Sequence, residues 1–468
     1  MKQTGVVGIW SGAFLTATCL PARRGILMIR NSEHQGRMLE DRVIRAITWR
    51  VLPLVCLIVF FSALDRSNIA YGAVTMLHDL SMTNTGLGWA SGAFALGYVL
   101  FGVPSTLMFQ RIGARRWLSL IMIVWGALSA ATAFVSTPHE LAVVRFLLGA
   151  AEAGANPGLV IYIGRWFPEN VRGRAFSIMF FAMGLTTILG GPFASVLMSL
   201  DGVGGFAGWQ WLFVVEGLPT IMLALIVLFA LPDTLEDTKW MAAPEKDWLS
   251  AQVKSGEERQ SDGLWSAFSN ARIWPLLLIN VLAGSAIAGT TAFTPLVIGS
   301  MGFAPTQIGW VNTAPALLSV CFLPLWGYLT DKHHDRAQVA AGACVVMCIG
   351  LIGVSLLLPS PWALVPLAVL MIGMLGYYSP FWTLPTTFLR GYGAAAGVSL
   401  INLVGTLGAF FGPIVIGALA DRTQSYAAGL LACAGMAGAG AILLLMQNER
   451  RRLRRLESKA ALEGAGRD

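Results

Sequence analysis

Charge is scarce in this chain. Asp, Glu, Lys and Arg together make up 12% of 468 residues, against about 25% in an ordinary soluble domain. That is too little to clothe the surface of a water-soluble globule of this size. Histidine is scarcer still, with five residues, and none falls inside an apolar run, so a proton relay within such a run has only carboxylates to use. The six cysteines, Cys19, Cys56, Cys321, Cys344, Cys348 and Cys433, form no C-x-x-C pair. This excludes the usual dithiol and zinc spacings and leaves packing as their expected role. No G-x-x-x-x-G-K-[ST] loop occurs, so the chain does not cradle ATP in the P-loop manner. We expect no enzyme, no metal and no cofactor; any work is driven by a gradient.

Apolar residues, at 56% of the chain, fill the space that charge leaves. They fall into twelve runs of about 20 residues, each long enough to cross a bilayer, from residues 51–72 to residues 426–446. The runs are too long and too evenly apolar for barrel strands, which alternate with period two, so each is predicted to be a helix. Cations mark every second loop: Arg111, Arg115 and Arg116; Arg165, Arg172 and Arg174; the stretch 239–272; Lys332 and Arg336; and Arg390. The intervening loops carry only Arg422. By the positive-inside rule both termini are cytoplasmic. The net charge of +7 then reports topology, and no nucleic-acid partner is expected.

A repeat recurs at 221 residues. Gln110 to Arg115 after the second run corresponds to Asp331 to Arg336 after the eighth, and Gly191-Pro192 corresponds to Gly412-Pro413. Two parallel six-helix halves account for this. The expected organisation is a cytoplasmic extension at 1–45, a first bundle at 46–231, a linker at 232–272, a second bundle at 273–447 and a basic tail at 448–468. The linker has a helix signal at 244–253, with Pro244 at its start. The short apolar run at 6–20 resembles a signal peptide only superficially, and we expect either a non-conforming extension or a true start at Met28 or Met38. The tail from Arg450 to Lys459 either continues the last helix into the cytoplasm or meets anionic lipid.

Five charges lie deep in the runs: Asp65, Arg66, Arg145, Glu152 and Glu216. A charge at the bilayer centre costs roughly 2.5 to 3.5 kcal/mol on insertion scales, so each is expected to be used or paired. All belong to the first half. The second half offers neutral polar groups instead, among them Asn280, Asn312, Ser379, Thr383, Thr386, Ser399 and Asn402. Asp65-Arg66 stands about two-thirds along the first run. Arg145, Gly149 and Glu152 occupy one face of a helix at i, i+4 and i+7. A guanidinium can grip a carboxylate through two parallel bonds, and an acid withdrawn from water can carry a proton, so the set suits an anion and a proton together. The competing reading is a salt-bridge network that only fastens helices. For Glu216, placed in the outer part of its run, that structural reading is preferred. Asn156-Pro157 predicts a kink.

Several stretches resemble one family. Leu64-Asp65-Arg66-Ser67-Asn68-Ile69, Arg111-Ile112-Gly113-Ala114-Arg115-Arg116-Trp117, Arg145 to Gly154, Arg165-Trp166-Phe167-Pro168, Gly208-Trp209-Gln210-Trp211 running to Glu216-Gly217-Leu218-Pro219, and Ser379-Pro380-Phe381-Trp382 are similar to motifs of the anion:cation symporters within the major facilitator superfamily. The resemblance runs from about residue 45 to 430. It implies an all-α, twelve-helix transporter of the bacterial inner membrane that takes up an organic carboxylate with H+, in preference to Na+; separately, two halves in one chain make a complete pathway, so a functional monomer is expected. By motif, Arg66 would bind the substrate carboxylate, Asp65 and Glu152 would handle the proton, and Arg145 would pair with an acid in one state and release it in another. Tyr98, Ser379, Trp382 and Asn402 match positions lining the substrate site. Arg111, Gly113 and Arg115, with Asp331 and Lys332 in the second copy, match the loop motif of the cytoplasmic gate, where Gln110 replaces the usual Asp. Sugar acids, dicarboxylates and aromatic acids all remain open as substrates. Two other functions stand beside uptake: a proton-driven efflux antiporter of the same fold, and a non-transporting transceptor.

Overall fold

The computed structural model describes residues 38–257, 273–333, 335–385 and 392–465, with side chains at 254–257, 392–399 and 448–465 not among those described. The apolar run at 6–20, Met28, Thr386, Arg390, the side chain of Ser399 and those of the tail therefore lie outside the described residues. The first half consists of α1 (Met38–Asp79), α2 (Asn84–Ile112), α3 (Ala114–Thr132), α4 (Pro138–Trp166), α5 (Glu169–Met198) and α6 (Gly208–Ala230). A linker helix, α7 (Ala243–Glu257), follows. The second half contains α8 (Ile273–Gly299), α9 (Pro305–Lys332), α10 (Arg336–Leu357), α11 (Leu364–Thr383), α12 (Tyr392–Thr423) and α13 (Tyr426–Ala465).

Eleven helices among the described residues are long and apolar enough to cross a membrane. The twelfth predicted span is α3, whose first turn carries Arg115 and Arg116 and so dilutes its 19 residues. At 42 residues, α1 is about 63 Å long at 1.5 Å per residue, roughly twice the hydrocarbon thickness. Its first three turns therefore project beyond the apolar layer. Its apolar part, Leu52–Asp79, extends past the predicted run, and Asp65-Arg66 falls at its midpoint instead of two-thirds along.

In α4 the helix breaks into Pro138–Glu152 and Ala155–Trp166. Pro157 supplies no N–H, and its ring crowds the carbonyl of the residue four back, Ala153, which is where the break lies. The linker helix exceeds its predicted limits and docks on α4 and α5, burying Met241 and Leu249. Arg50 at the base of α1 lies 5.0 Å over the Trp240 ring beside it.

The halves meet along α2 with α12 and α5 with α9. A side chain at Gly88 would come within 2.7 Å of the Pro413 carbonyl oxygen, and one at Gly309 would collide with the Gly191 backbone. Gly88 and Gly309 are again 221 residues apart, so the sequence repeat reappears as two matching helix crossings. Hydrogen bonds join the halves at one end. Asp421 accepts from the Asn84 and Thr85 backbone N–H groups at 3.0 and 2.8 Å, from Asn84 Nδ2 at 2.9 Å and from Thr85 Oγ1 at 2.5 Å. Nearby, Tyr426 donates to Asn84, Asn312 Nδ2 donates to the Tyr71 hydroxyl at 2.9 Å, and the Gly309 N–H donates to Ser195 Oγ at 3.0 Å. All these contacts lie toward the end opposite the basic loops. Among bonds with both partners described, none joins the halves at the basic end.

Candidate functional site

Successive residues of a helix point about 100° apart, so Asp65 and Arg66 face different neighbours. Asp65 turns into the first half, 2% exposed, where Ser129 Oγ of α3 donates to its Oδ1 at 2.5 Å. Arg66 turns toward α4 and keeps 29% of its side chain exposed. Its Nε donates to Glu152 Oε1 at 2.8 Å. Nη2 lies 2.7 Å from the same oxygen, but off the angle of a hydrogen bond, so its N–H groups lack an aligned acceptor. Ser62, one turn before Arg66, also donates to Oε1, while Oε2 of the fully buried Glu152 accepts nothing. From α2, the Tyr98 and Phe94 rings lie 4.9 and 5.7 Å from the guanidinium carbon and stack on one another at 6.2 Å. The guanidinium is thus held by one carboxylate and two π faces, with a partly open side.

Arg145 is placed differently. It is 1% exposed, lies 5.2 Å from the Phe213 ring centre, and makes no ion pair within 4.0 Å among the described residues. Its Nε and Nη2 have no hydrogen-bond acceptor, yet Asp65, Glu216 and Glu152 all lie within its electrostatic reach. Glu216, in the half of α6 that starts at Gly208, is drawn into the same set. It is 2% exposed and joins the cluster of Asp65 and Arg145. The two members of the dipeptide have different partners: Arg66 meets Glu152, and Asp65 lies with Arg145 and Glu216.

On the second half, Ser379 and Asn402 are exposed and Trp382 is half-buried. Trp382 packs edge-on against Phe381 at 5.4 Å, and Tyr377 stacks on Phe381 at 4.8 Å. The Tyr377 hydroxyl donates to Asn280 Oδ1 at 3.3 Å, and Asn280 Nδ2 donates to the Ile401 carbonyl at 3.0 Å, beside Asn402. Among the described residues no hydrogen bond or ion pair links Ser379, Trp382 or Asn402 to the charged set. The structure gathers Arg66, Tyr98 and Glu152, and leaves the second-half candidates on the opposite half.

The loop motif is built around a residue the sequence reading did not single out. Gly113, at φ +99°, turns the chain so that the Arg115 N–H donates to Asp233 Oδ1 at 2.6 Å, with Arg115 Nε 3.5 Å from Oδ2. Asp233, just past α6, puts an acid at the motif whose own loop has Gln110. Arg111 is exposed, as are Asp331 and Lys332, and Lys332 Nζ lies 5.3 Å from the Tyr328 ring centre. Ser62 and Ser129 were missed because a lone serine in an apolar run carries no signal of its own. Asp421 had one: an acid at the end of a span.

Residues 55–413 match the family model described as Major Facilitator Superfamily. The chain belongs to the major facilitator superfamily. It is similar, at 36% identity over 411 residues covering 87% of this chain and 95% of the relative, to a protein of Agrobacterium vitis described as "Putative tartrate transporter". It is 33% identical to the "Quinolone resistance transporter" of Acinetobacter baumannii, covering 84% of this chain and 91% of the relative. Among solved structures, a D-xylose-proton symporter superposes with a TM-score of 0.69 at 16% identity, covering 85% of this chain and 97% of that one. This member of the superfamily is thus a multi-pass membrane transporter of a small molecule, not an enzyme.

Proposed function

We propose that the protein is a proton-coupled symporter that takes up an organic carboxylate across the bacterial inner membrane by alternating access. The Arg66–Glu152 pair carries this reading. Glu152 holds the one partly exposed guanidinium of the buried charge cluster, so an incoming carboxylate has to displace a carboxylate already bound. Protonating Glu152 removes its charge and frees Nε and Nη2 for the substrate, which makes proton and anion arrive together. Tyr98 and Phe94 keep the guanidinium in place for that exchange. Asp65 is the second proton-handling acid, and Ser379, Trp382 and Asn402 shape the site from the second half. The charge distribution supports cytoplasmic termini, and a complete set of twelve helices in one chain supports a functional monomer. The similarity to a relative named for tartrate fits a small hydroxylated dicarboxylate.

Proteoliposomes with an acid exterior should accumulate a labelled carboxylate, tried first with tartrate and then with aldaric and aromatic acids. Arg66→Ala should reduce this at least about tenfold, the loss expected when one charge-assisted partner is removed. Normal uptake by that variant would defeat the anion-site assignment. The similarity to a quinolone resistance transporter favours efflux as the second reading. Drug-dependent proton release from inverted vesicles, without carboxylate accumulation, would establish it.

A further inference from the structure

Within the first half, the buried charges do not balance. Arg66 and Glu152 neutralise one another at the open edge. Behind them a single cation, Arg145, faces two acids, Asp65 on α1 and Glu216 on α6. All three are at least 98% buried, at 1%, 2% and 2% exposure. Their hydrogen bonding is as incomplete as their charge: Asp65 Oδ2, both Glu216 oxygens, and Arg145 Nε and Nη2 have no partner. The second cation within reach of Asp65 is Arg66, and it is committed to Glu152, which also lies within reach of Asp65, so the pair adds no net charge. Against α6, which carries Glu216, pack α1, α3 and α5. From these, the titratable or charged group within its reach is Asp65, and α4 adds Arg145; Ser129 of α3 is committed to Asp65 Oδ1. An uncompensated carboxylate in such surroundings is far costlier than a neutral carboxyl group.

We infer that Glu216 is a proton-binding residue of the transport cycle, sharing one proton with Asp65 across Arg145. In one arrangement Arg145 turns to Asp65, which is ionised, and the proton sits on a Glu216 oxygen. In the other, Arg145 turns to Glu216, and the proton sits on Asp65 Oδ2. The exchange breaks one O–H bond, forms another and leaves the cluster's charge unchanged. Two acids so coupled titrate as a pair. Arg145 is the positioning residue that decides which of them holds the proton. This deepens the proton-coupled reading above, since it gives Asp65 a partner to exchange with while Glu152 remains on Arg66.

Infrared difference spectroscopy of reconstituted protein in the carbonyl-stretch region of protonated carboxyl groups tests the idea with no substrate present. Wild type should show one such band, shifted in D2O. Glu216→Gln should abolish it, because Asp65 and Arg145 then balance. Asp65→Asn should abolish it too, because Glu216 and Arg145 then balance, and this variant decides the question if Glu216→Gln does not reach the membrane. Glu140→Gln, an exposed acid at the start of α4, should leave the band unchanged. No band in wild type, or a band surviving in Glu216→Gln or Asp65→Asn, overturns the inference. Since no transport is measured, failure of the carboxylate reading would appear separately, as absent uptake beside an intact band.

Discussion

At the scale of single residues, the arrangement around Arg66 separates holding the guanidinium from neutralising it. Tyr98 acts through its ring, 4.9 Å from the guanidinium carbon. A cation–π contact is worth about 0.5 to 2 kcal/mol depending on desolvation, so Tyr98→Ala should weaken carboxylate binding roughly 2- to 30-fold by calorimetry. Tyr98→Phe, which keeps the ring, should stay within about threefold. Equal affinities for wild type and Tyr98→Ala would show that Glu152 alone orients Arg66. Glu152 acts through charge. Glu152→Gln should retain exchange of labelled for unlabelled carboxylate but lose accumulation against a gradient, because nothing on Arg66 then responds to a proton; full accumulation would remove Glu152 from the coupling. The five buried charges were legible in the sequence because an apolar run makes every charge conspicuous. Their pairing was not, since it depends on which way α1 is rotated: adjacent residues of one helix face different neighbours, and the sequence alone does not say which.

Among elements, α2 and α12 form one of the contacts that must break for the bonded end to open, beside those of α9 with α5 and α1. Asp421 fastens them by accepting two backbone and two side-chain bonds at the N-terminus of α2, where the helix dipole also favours a negative charge. Asp421→Ala removes all four. With part of their strength offset by water, a loss of about 1 to 3 kcal/mol shifts the equilibrium between states roughly 5- to 150-fold. Spin labels at Ser81 and Gln424, in a background lacking the native cysteines, should then show a longer distance population that wild type lacks. An unchanged distribution would mean that the glycine crossings, with the Gly309–Ser195 and Asn312–Tyr71 bonds, hold this end shut without Asp421. The 221-residue spacing foretold two related halves, and the Gly88 and Gly309 crossings follow from it. The latch does not, because Asn84, Thr85 and Asp421 come together only where the halves touch, and neither half's repeat encodes that meeting.

For the whole molecule, orientation in the membrane decides what the closed end means. The halves are bonded at the end carrying residues 79–84, 199–208 and 421–426, and the cations of the loops gather at the other. The positive-inside rule would place the bonded end outside, so that the structure is shut on that face. Proteins carrying a single cysteine in the cysteine-less background settle this with a membrane-impermeant maleimide applied to intact cells. Ser425→Cys should be labelled directly, and Arg116→Cys only after the membrane is opened. The reverse pattern would invert the molecule and turn the same structure into one closed to the cytoplasm. Residues 79–84 and 421–426 would then seal the inner face, and Glu152 could not be reached by protons from the cytoplasmic side. The same structure would then be the state closed to the cytoplasm, one that an alternating-access cycle passes through in uptake and export alike, although every contact around Arg66 would be the same.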